Sequence, residues 1–342
     1  MFKKLFFLLV MFCIFILPVS NVYAAQQLED TEREQPKTTK EQAYTMKGTW
    51  LSFVDMEEYL KGLDKQTFEE TFKLICNKLY SNGNNTIFVH VRSHNDAIYP
   101  SLIYPFSNHV FDGTYPGYDP LKEMINIAHE SGLKIHAWIN PYGYRNGQIS
   151  ERPELATTEN IVAGVNEILD EYDIDGIHFD DYFPPIGEDQ INSMVFQVHD
   201  ACAVHGKVFG ISPQGNIENN KAMGADIETW MSVVGYIDYI APQIYWTDNY
   251  GDDGQTSMST NRLKEWKKLN KINIPIYVGM ALYKAGNEID GDPGWNMQHD
   301  NLQKQSHAAK ILGYNGYILY NTKSQLTPNQ GQEEEIRNLL KE

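Results

Sequence analysis

The chain has 342 residues, enough for one large domain or two ordinary ones, and 42% hydrophobic against 21% charged residues supply the material of a folded core. Lysine and arginine number 28 against 45 aspartate and glutamate, and the net charge of −17 excludes the electrostatic footprint of a nucleic-acid binder. Three cysteines cannot build a disulfide scaffold.

Lys3 and Lys4 precede an apolar run from Leu5 to Leu17, followed by Pro18 and the junction Val22-Tyr23-Ala24-Ala25. A charged start, a short apolar stretch and small residues predict a secretory signal peptide over residues 1–24, cleaved after Ala24. At ~1.5 Å per residue the run spans roughly 20 Å, short of the ~30 Å hydrocarbon core, so no stable membrane insertion is expected after cleavage. The chain is thus expected to be secreted or to reside in the cell envelope. Losing Lys3 and Lys4 takes the net charge to −19, and losing Cys13 leaves Cys76 and Cys202, expected as buried free thiols on helices. Residues 25–45 are polar and charged without an apolar period and read as a flexible tether.

From residue 46 to 342, strand-length apolar runs alternate with amphipathic stretches of helix length. The runs are Gly48–Val54, Thr86–Val91, Lys134–Ile139, Gly176–Phe179, Val208–Ser212, Tyr239–Ile244, Pro275–Met280 and Gly316–Leu319. Helices are expected over Lys65–Ser81, Pro120–Ser131, Asn160–Tyr172, Asp189–His205, Ala225–Val234, Ser259–Asn270, Asn296–Leu312 and Gln332–Lys341. Asp64 and Ser259 stand at expected N-caps, with Gly132, Gly206 and Gly313 just past helix ends. Eight strand–helix beats predict an α/β fold, a (β/α)₈ TIM barrel forming a single catalytic domain. No glycine-rich turn follows the first strand, as a doubly wound nucleotide-binding sheet would require.

A barrel of this kind works at the C-terminal ends of its strands, so the residues there form a map of the site. The first strand ends at Asp55, the second at His90-Val-Arg92-Ser-His94-Asn-Asp96 and the third at His136-Ala-Trp138-Ile-Asn140-Pro-Tyr142. The fourth gives His178-Phe-Asp180-Asp181-Tyr182, the fifth Ser212-Pro-Gln214, and the sixth Gln243-Ile-Tyr245-Trp246; Tyr283 and Tyr320 follow the last two. Rings interleaved with hydrogen-bonding groups suit a carbohydrate cleft. Long loops at 92–119, 139–159 and 245–258 would build its walls.

Asp180 and Asp181 carry the sharpest signal. Adjacent carboxyl groups at a strand end repel each other, which raises one pKa and suits a proton donor near neutral pH. Alternation along the strand points His178 and Asp180 into the mouth, and Asp181 joins them only if the strand has ended. Alternatively one aspartate caps the next helix or pairs with Arg92. His90, His136 and His178 occupy comparable positions on successive strands, but no ligand-spaced helix motif accompanies them, and no metal or cofactor is expected.

The stretches Val91-Arg92, Asp96-Ala-Ile-Tyr-Pro-Ser101, Asp119-Pro-Leu121, Gly132 to Tyr142, Tyr172 to Pro184, Phe209 to Pro213 and Tyr239 to Trp246 resemble the glycosyl hydrolase-like family 10, exported bacterial barrels related to glycosidases. The chain departs from that pattern at Gln214 and Ile217, where members often carry aromatic residues. The resemblance implies hydrolysis of a polysaccharide, with peptidoglycan-type, N-acetylated cell-wall glycan as the substrate class. The aspartate pair is also similar to that of N-acetylhexosaminidase barrels in which the substrate's acetamido oxygen is the nucleophile. That likeness implies Asp180 orienting the acetamide, Asp181 protonating the leaving oxygen and Tyr245 steadying the cyclic intermediate. Arg92, Asp96, His136, Trp138, Asn140, Tyr142, His178, Tyr182, Gln243 and Trp246 are then the expected substrate-binding residues. Family 18 chitinases end the corresponding run in Glu, where this chain has Tyr182. Two further readings stay open: a carbohydrate-binding barrel without catalysis, favoured by the missing second carboxylate, and a metal-dependent polysaccharide deacetylase.

Overall fold

The apolar runs become eight strands: β1 (Met46–Leu51), β2 (Thr86–Arg92), β3 (Lys134–Ile139), β4 (Gly176–Phe179), β5 (Val208–Ile211), β6 (Tyr239–Ile240), β7 (Tyr277–Met280) and β8 (Gly316–Leu319). The computed structural model describes residues 46–149 and 151–341; the expected signal peptide and tether lie outside the described residues. All eight strands are parallel and follow the order β6-β5-β4-β3-β2-β1-β8-β7. Bridges from Ile240 to Ile276 and from Gln243 to Gly279 join the two edges and close the barrel. The sixth strand is shorter than its apolar run because Pro242 has no N–H to continue the ladder, and pairing beyond Ile240 survives as bridges from Gln243 to Gln214 and to Gly279.

Of the α-helices among the described residues, eight fall in the expected helical stretches: α1 (Lys65–Ser81), α2 (Pro120–Glu130), α3 (Thr158–Glu171), α4 (Glu188–Val204), α5 (Ile227–Trp230), α6 (Met258–Leu269), α7 (Asn301–Ile311) and α8 (Gln330–Leu339). Side-chain caps mark the starts of α1, α2, α3, α5 and α8. Asp64 accepts the Thr67 N–H at the head of α1, as expected. Thr157 caps α3 and starts it two residues before the apolar period. Ser257, not Ser259, stands at the head of α6; Ser259 lies inside the first turn, where its hydroxyl accepts from Gln305 at 2.8 Å. The long run Asn296–Leu312 breaks at Gln298, whose extended backbone separates the short helix Gly294–Met297 from α7. Gly132, Gly206 and Gly313 all take left-handed φ values (78°, 66° and 74°) just past their helices. Cys76 in α1 and Cys202 in α4 are buried free thiols, and no described helix is long and apolar enough to cross a membrane.

Two separate apolar layers hold the fold. The larger fills the space between strands and helices and includes Met124 of α2 and Trp266 of α6. The smaller lies inside the barrel, where Met46, Trp50, Phe88, Trp138, Tyr239, Tyr277 and Ile318 meet. So many large rings in one barrel need neighbours without side chains. Gly210 on β5 is one of these: a Cβ there would lie 2.2 Å from the Tyr239 ring. Replacing Gly210 with alanine should therefore cost at least about 1–3 kcal/mol, seen as a lower urea midpoint with an unchanged slope. An unaltered midpoint would mean that the Tyr239 ring has room to retreat.

Candidate active site

The floor of the barrel mouth is a chain of neutral polar rings. Trp50 Nε1 donates to His178 Nε2 at 3.1 Å, which leaves the His178 proton on Nδ1. That proton faces the Tyr239 hydroxyl at 2.9 Å, and the hydroxyl in turn lies 3.1 Å from His136 Nδ1. Donation therefore runs in one direction, Trp50 to His178 to Tyr239 to His136. Burial holds His178 well below the ordinary imidazole pKa and His136 down to about 4, so neither ring supplies a charge to the mouth.

Above this floor β4 ends at Phe179, and both following side chains turn into a cavity of about 640 Å³. Asp180 and Asp181 are the only carboxyl groups among its described lining residues; Trp50, Phe53, His90, Trp138, Tyr182 and Tyr245 are among its rings. The Asp181 N–H donates to Asp180 Oδ1 at 2.9 Å, and Gln243 Nε2 approaches the same oxygen at 3.4 Å while donating to the Ser212 carbonyl at 2.9 Å. Both aspartates are almost fully buried, and burial raises both carboxyls. Asp181 is held well above the usual range, first by burial and then by the charge of Asp180. The Arg145 guanidinium and the Asp181 N–H oppose the rise at Asp180. One proton is thus shared unequally, with Asp181 the acid and Asp180 the carboxylate.

Arg145 is the one cation lining this cavity among the described residues. It comes from a two-stranded turn, Tyr144–Arg145 against Gln148–Ile149, and is held by donation from Nε to the Ser93 carbonyl at 3.3 Å. Its guanidinium lies 4.7 Å from the Phe53 ring centre and 5.0 Å from that of Tyr182. Tyr245 stacks on Tyr320 at 6.1 Å and meets Tyr283 edge-on; burial keeps its hydroxyl protonated. A second cavity of about 610 Å³ shares Asp181, Gln243 and Tyr245 and continues past Gln214, Trp246 and Lys284. Lys284 is anchored there by donation to the Tyr245 carbonyl at 2.8 Å.

The glycosyl hydrolase-like 10 family model matches residues 45–157 and 187–297. The chain belongs to that family. Glycosyl hydrolase YngK of Bacillus subtilis (strain 168) is 28% identical over 312 residues, covering 69% of this chain and 59% of YngK, so the chain spans less than two thirds of that relative. Glycosyl hydrolase DigH of Escherichia coli (strain K12) is 25% identical over 349 residues, covering 76% of this chain and 78% of DigH. Among solved structures, the endo-1,4-beta-mannanase of Rhizomucor miehei superposes with a TM-score of 0.59 at 10% identity, covering 87% of this chain and 96% of that one. The Group IV chitinase of Ostrinia furnacalis in complex with allosamidin gives 0.56 at 11% identity, covering 87% and 98%. These two likenesses speak to the barrel alone. The two stretches matched by the glycosyl hydrolase-like 10 model flank residues 158–186, which hold β4 and the aspartate pair, so the roles of those aspartates rest on geometry.

Of the residues expected from this family's pattern, the structure gathers Asp180, Asp181, Tyr245, Trp138, Tyr182 and Gln243 around the first cavity and Trp246 at the second. His178 lies directly beneath, with both ring nitrogens engaged. Five expected residues stand elsewhere. A register shift between His90 and Arg92 turns Arg92 outward, 3.5 Å from the Tyr104 ring centre and against Gly164 of α3, so it pairs with neither aspartate. His136 sits one strand layer too deep. Asn140 donates to the Tyr144 carbonyl, shaping the turn that carries Arg145, and Tyr142 packs into the outer layer. Asp96 belongs to the loop after β2. Neither aspartate caps α4, whose N-cap is Gly187. The strand histidines present no shared ligand set, since His178 has no free nitrogen and His136 turns to Tyr239. Asp55 is spent on a capping box with Ser52 and accepts from Asn321 at 2.7 Å; burial raises its carboxyl to about 6.

Asp181 also sets a pH signature of stability. Its folded pKa lies above the unfolded value of about 3.9, so its contribution is fully present below that value and is lost as pH rises through the folded pKa. Asp181→Asn should therefore gain stability over wild type from about pH 4 upward, by at most about 1.4 kcal/mol per pH unit. Paired urea titrations at pH 4 and pH 8 measure the difference. A variant that loses ground as pH rises would place the charge on Asp181.

Proposed function

We propose that the protein is a glycoside hydrolase acting on N-acetylated, peptidoglycan-type glycan of the bacterial cell wall, secreted or held in the cell envelope, with the acetamido group of the substrate as nucleophile. The observation that carries this reading is the unequal aspartate pair, the sole carboxyl groups among the described residues lining a ring-walled cavity at the barrel mouth. Asp181 gives its proton to the glycosidic oxygen as the bond to C1 breaks. Asp180 accepts a hydrogen bond from the acetamide N–H, and the acetamide oxygen bonds to C1 to close an oxazolinium ring. The Tyr245 hydroxyl, kept neutral by burial, donates to that oxygen's side of the ring. Water then attacks C1, the bond from C1 to the acetamide oxygen breaks and restores the acetamide, and the water's proton goes to Asp181, so two inversions leave the anomeric configuration retained.

Asp181→Asn should lower the rate about 10²–10⁴-fold on natural glycan and much less on aryl glycosides whose leaving groups need little protonation. Asp180→Asn should depress both substrate classes alike. New reducing ends released from purified glycan strands, with and without de-N-acetylation, provide the direct assay. Equal cleavage of the de-N-acetylated strand would remove the acetamide from the mechanism, and binding without new reducing ends would leave a carbohydrate-binding barrel.

A further inference from the structure

The loop after β2 brings together three side chains that the hydrolytic reading does not use. His94, Asp96 and His109 place one ligand atom each within 4.8 Å of the other two. His94 and Asp96 are buried, and His109 enters from the four-residue helix Asn108–Phe111. Asp96 Oδ1 accepts the His94 backbone N–H at 3.0 Å, but its Oδ2 is buried with no hydrogen-bond partner, as is His109 Nε2. A carboxylate oxygen and an imidazole nitrogen, both dry and unsatisfied side by side, are costly as they stand. His94 Nδ1 lies 2.9 Å from Ser93 Oγ, and an Nδ1–H donated to that hydroxyl leaves the Nε2 lone pair free. The His94 and His109 rings stack at 4.0 Å, and Glu151 Oε1 is 3.7 Å from His109 Nε2.

We propose that His94, Asp96 and His109, with Glu151 as a fourth donor, form a binding site for one divalent transition-metal ion, zinc foremost. Two imidazoles and one or two carboxylates are the donor set such ions take at about 2.0–2.2 Å, with carboxylate charge to offset the cation. At tetrahedral angles those bond lengths separate ligand atoms by roughly 3.3–3.5 Å, so the trio closes by up to about 1.4 Å around the ion. The ion ties the β2 loop to the Asn108–Phe111 turn and stays outside the reaction. Two contacts lead from it to the cleft: the Phe53 ring, part of the cavity wall, meets His94 at 5.2 Å and His109 at 5.3 Å, and Ser93, beside His94, holds Arg145 through its carbonyl.

The test uses the full chain without a polyhistidine tag, stripped with chelator and titrated calorimetrically with zinc chloride alone. One equivalent should bind and raise the thermal midpoint. Asp96→Asn and His109→Gln should each weaken that binding by at least about 10–100-fold. His109 is partly exposed on a short turn, so His109→Gln should match the metal-free wild type in its midpoint. Anomalous scattering from zinc-soaked crystals of the wild type locates the ion independently of any variant. Failure to bind zinc, undiminished binding in both variants, or an ion located elsewhere would overturn the assignment.

Discussion

Two carboxyl groups on consecutive residues, turned into one nearly dry mouth, cannot both give up their protons without a large cost, and the rest of the site is arranged around which of them does. Two unit charges about 4 Å apart repel by roughly 4 kcal/mol at an effective dielectric of 20. The surroundings divide the pair. Asp180 receives the Asp181 N–H and the field of Arg145, both of which favour its charge. Asp181 faces that charge in a buried position, and its own backbone N–H and the Gln243 amide offset the rise only in part. Had the strand run one residue further, Asp181 would have pointed into the strand–helix layer; ending at Phe179 puts both groups on one side of the cavity.

The floor preserves this asymmetry by staying neutral. An imidazolium at His178 would stabilise a second carboxylate above it and draw the proton from Asp181. The indole N–H of Trp50 prevents that, because it occupies Nε2 with a donor that has no other role to offer. Tyr239 passes the same polarity to His136. The chain of rings fits only because glycines at 48, 176 and 210 leave room for Phe88, His136 and Tyr239 on neighbouring strands. Packing in the barrel and acidity at its mouth therefore depend on each other.

Periodicity made most of this legible. Parallel strands buried on both faces read as apolar runs, and the residues after each run located the mouth and the aspartate pair. Three kinds of information were not local. Trp50 and Phe53 look like core residues in sequence, and only barrel closure brings them over β4. Arg145 sits on a turn whose aim depends on Asn140 and on the Ser93 carbonyl, a contact across 52 positions. Arg92 was misplaced because a bulge changes the parity of β2, and alternation carries no warning of a bulge. The signal available for Tyr283 and Tyr320 was their position after the last two strands, which marked them as mouth residues without saying that Tyr320 would stack on Tyr245 and Tyr283 meet it edge-on.

The same placement bears on how the glycosidic bond is opened. A double displacement by an enzyme nucleophile needs carboxyl groups about 5–5.5 Å apart on opposite sides of the bond, and inversion needs about 6.5–9.5 Å with a water between. Asp180 and Asp181 leave the end of one strand together, with the backbone N–H of one bound to the carboxylate of the other. They cannot stand on opposite faces of a sugar ring. The residues across the cavity are aromatic: Tyr245, Tyr283 and Tyr320, the first held protonated by burial. A neutral phenol wall opposite an acid–carboxylate pair stabilises an electrophilic ring and offers it no anionic nucleophile. The substrate's own acetamide is a neutral nucleophile that needs orienting and polarising, and a carboxylate beside the acid, rather than across from it, is placed to do that. On the proposed reading the glycan brings its nucleophile with it, which ties the choice of substrate to the shape of the pair.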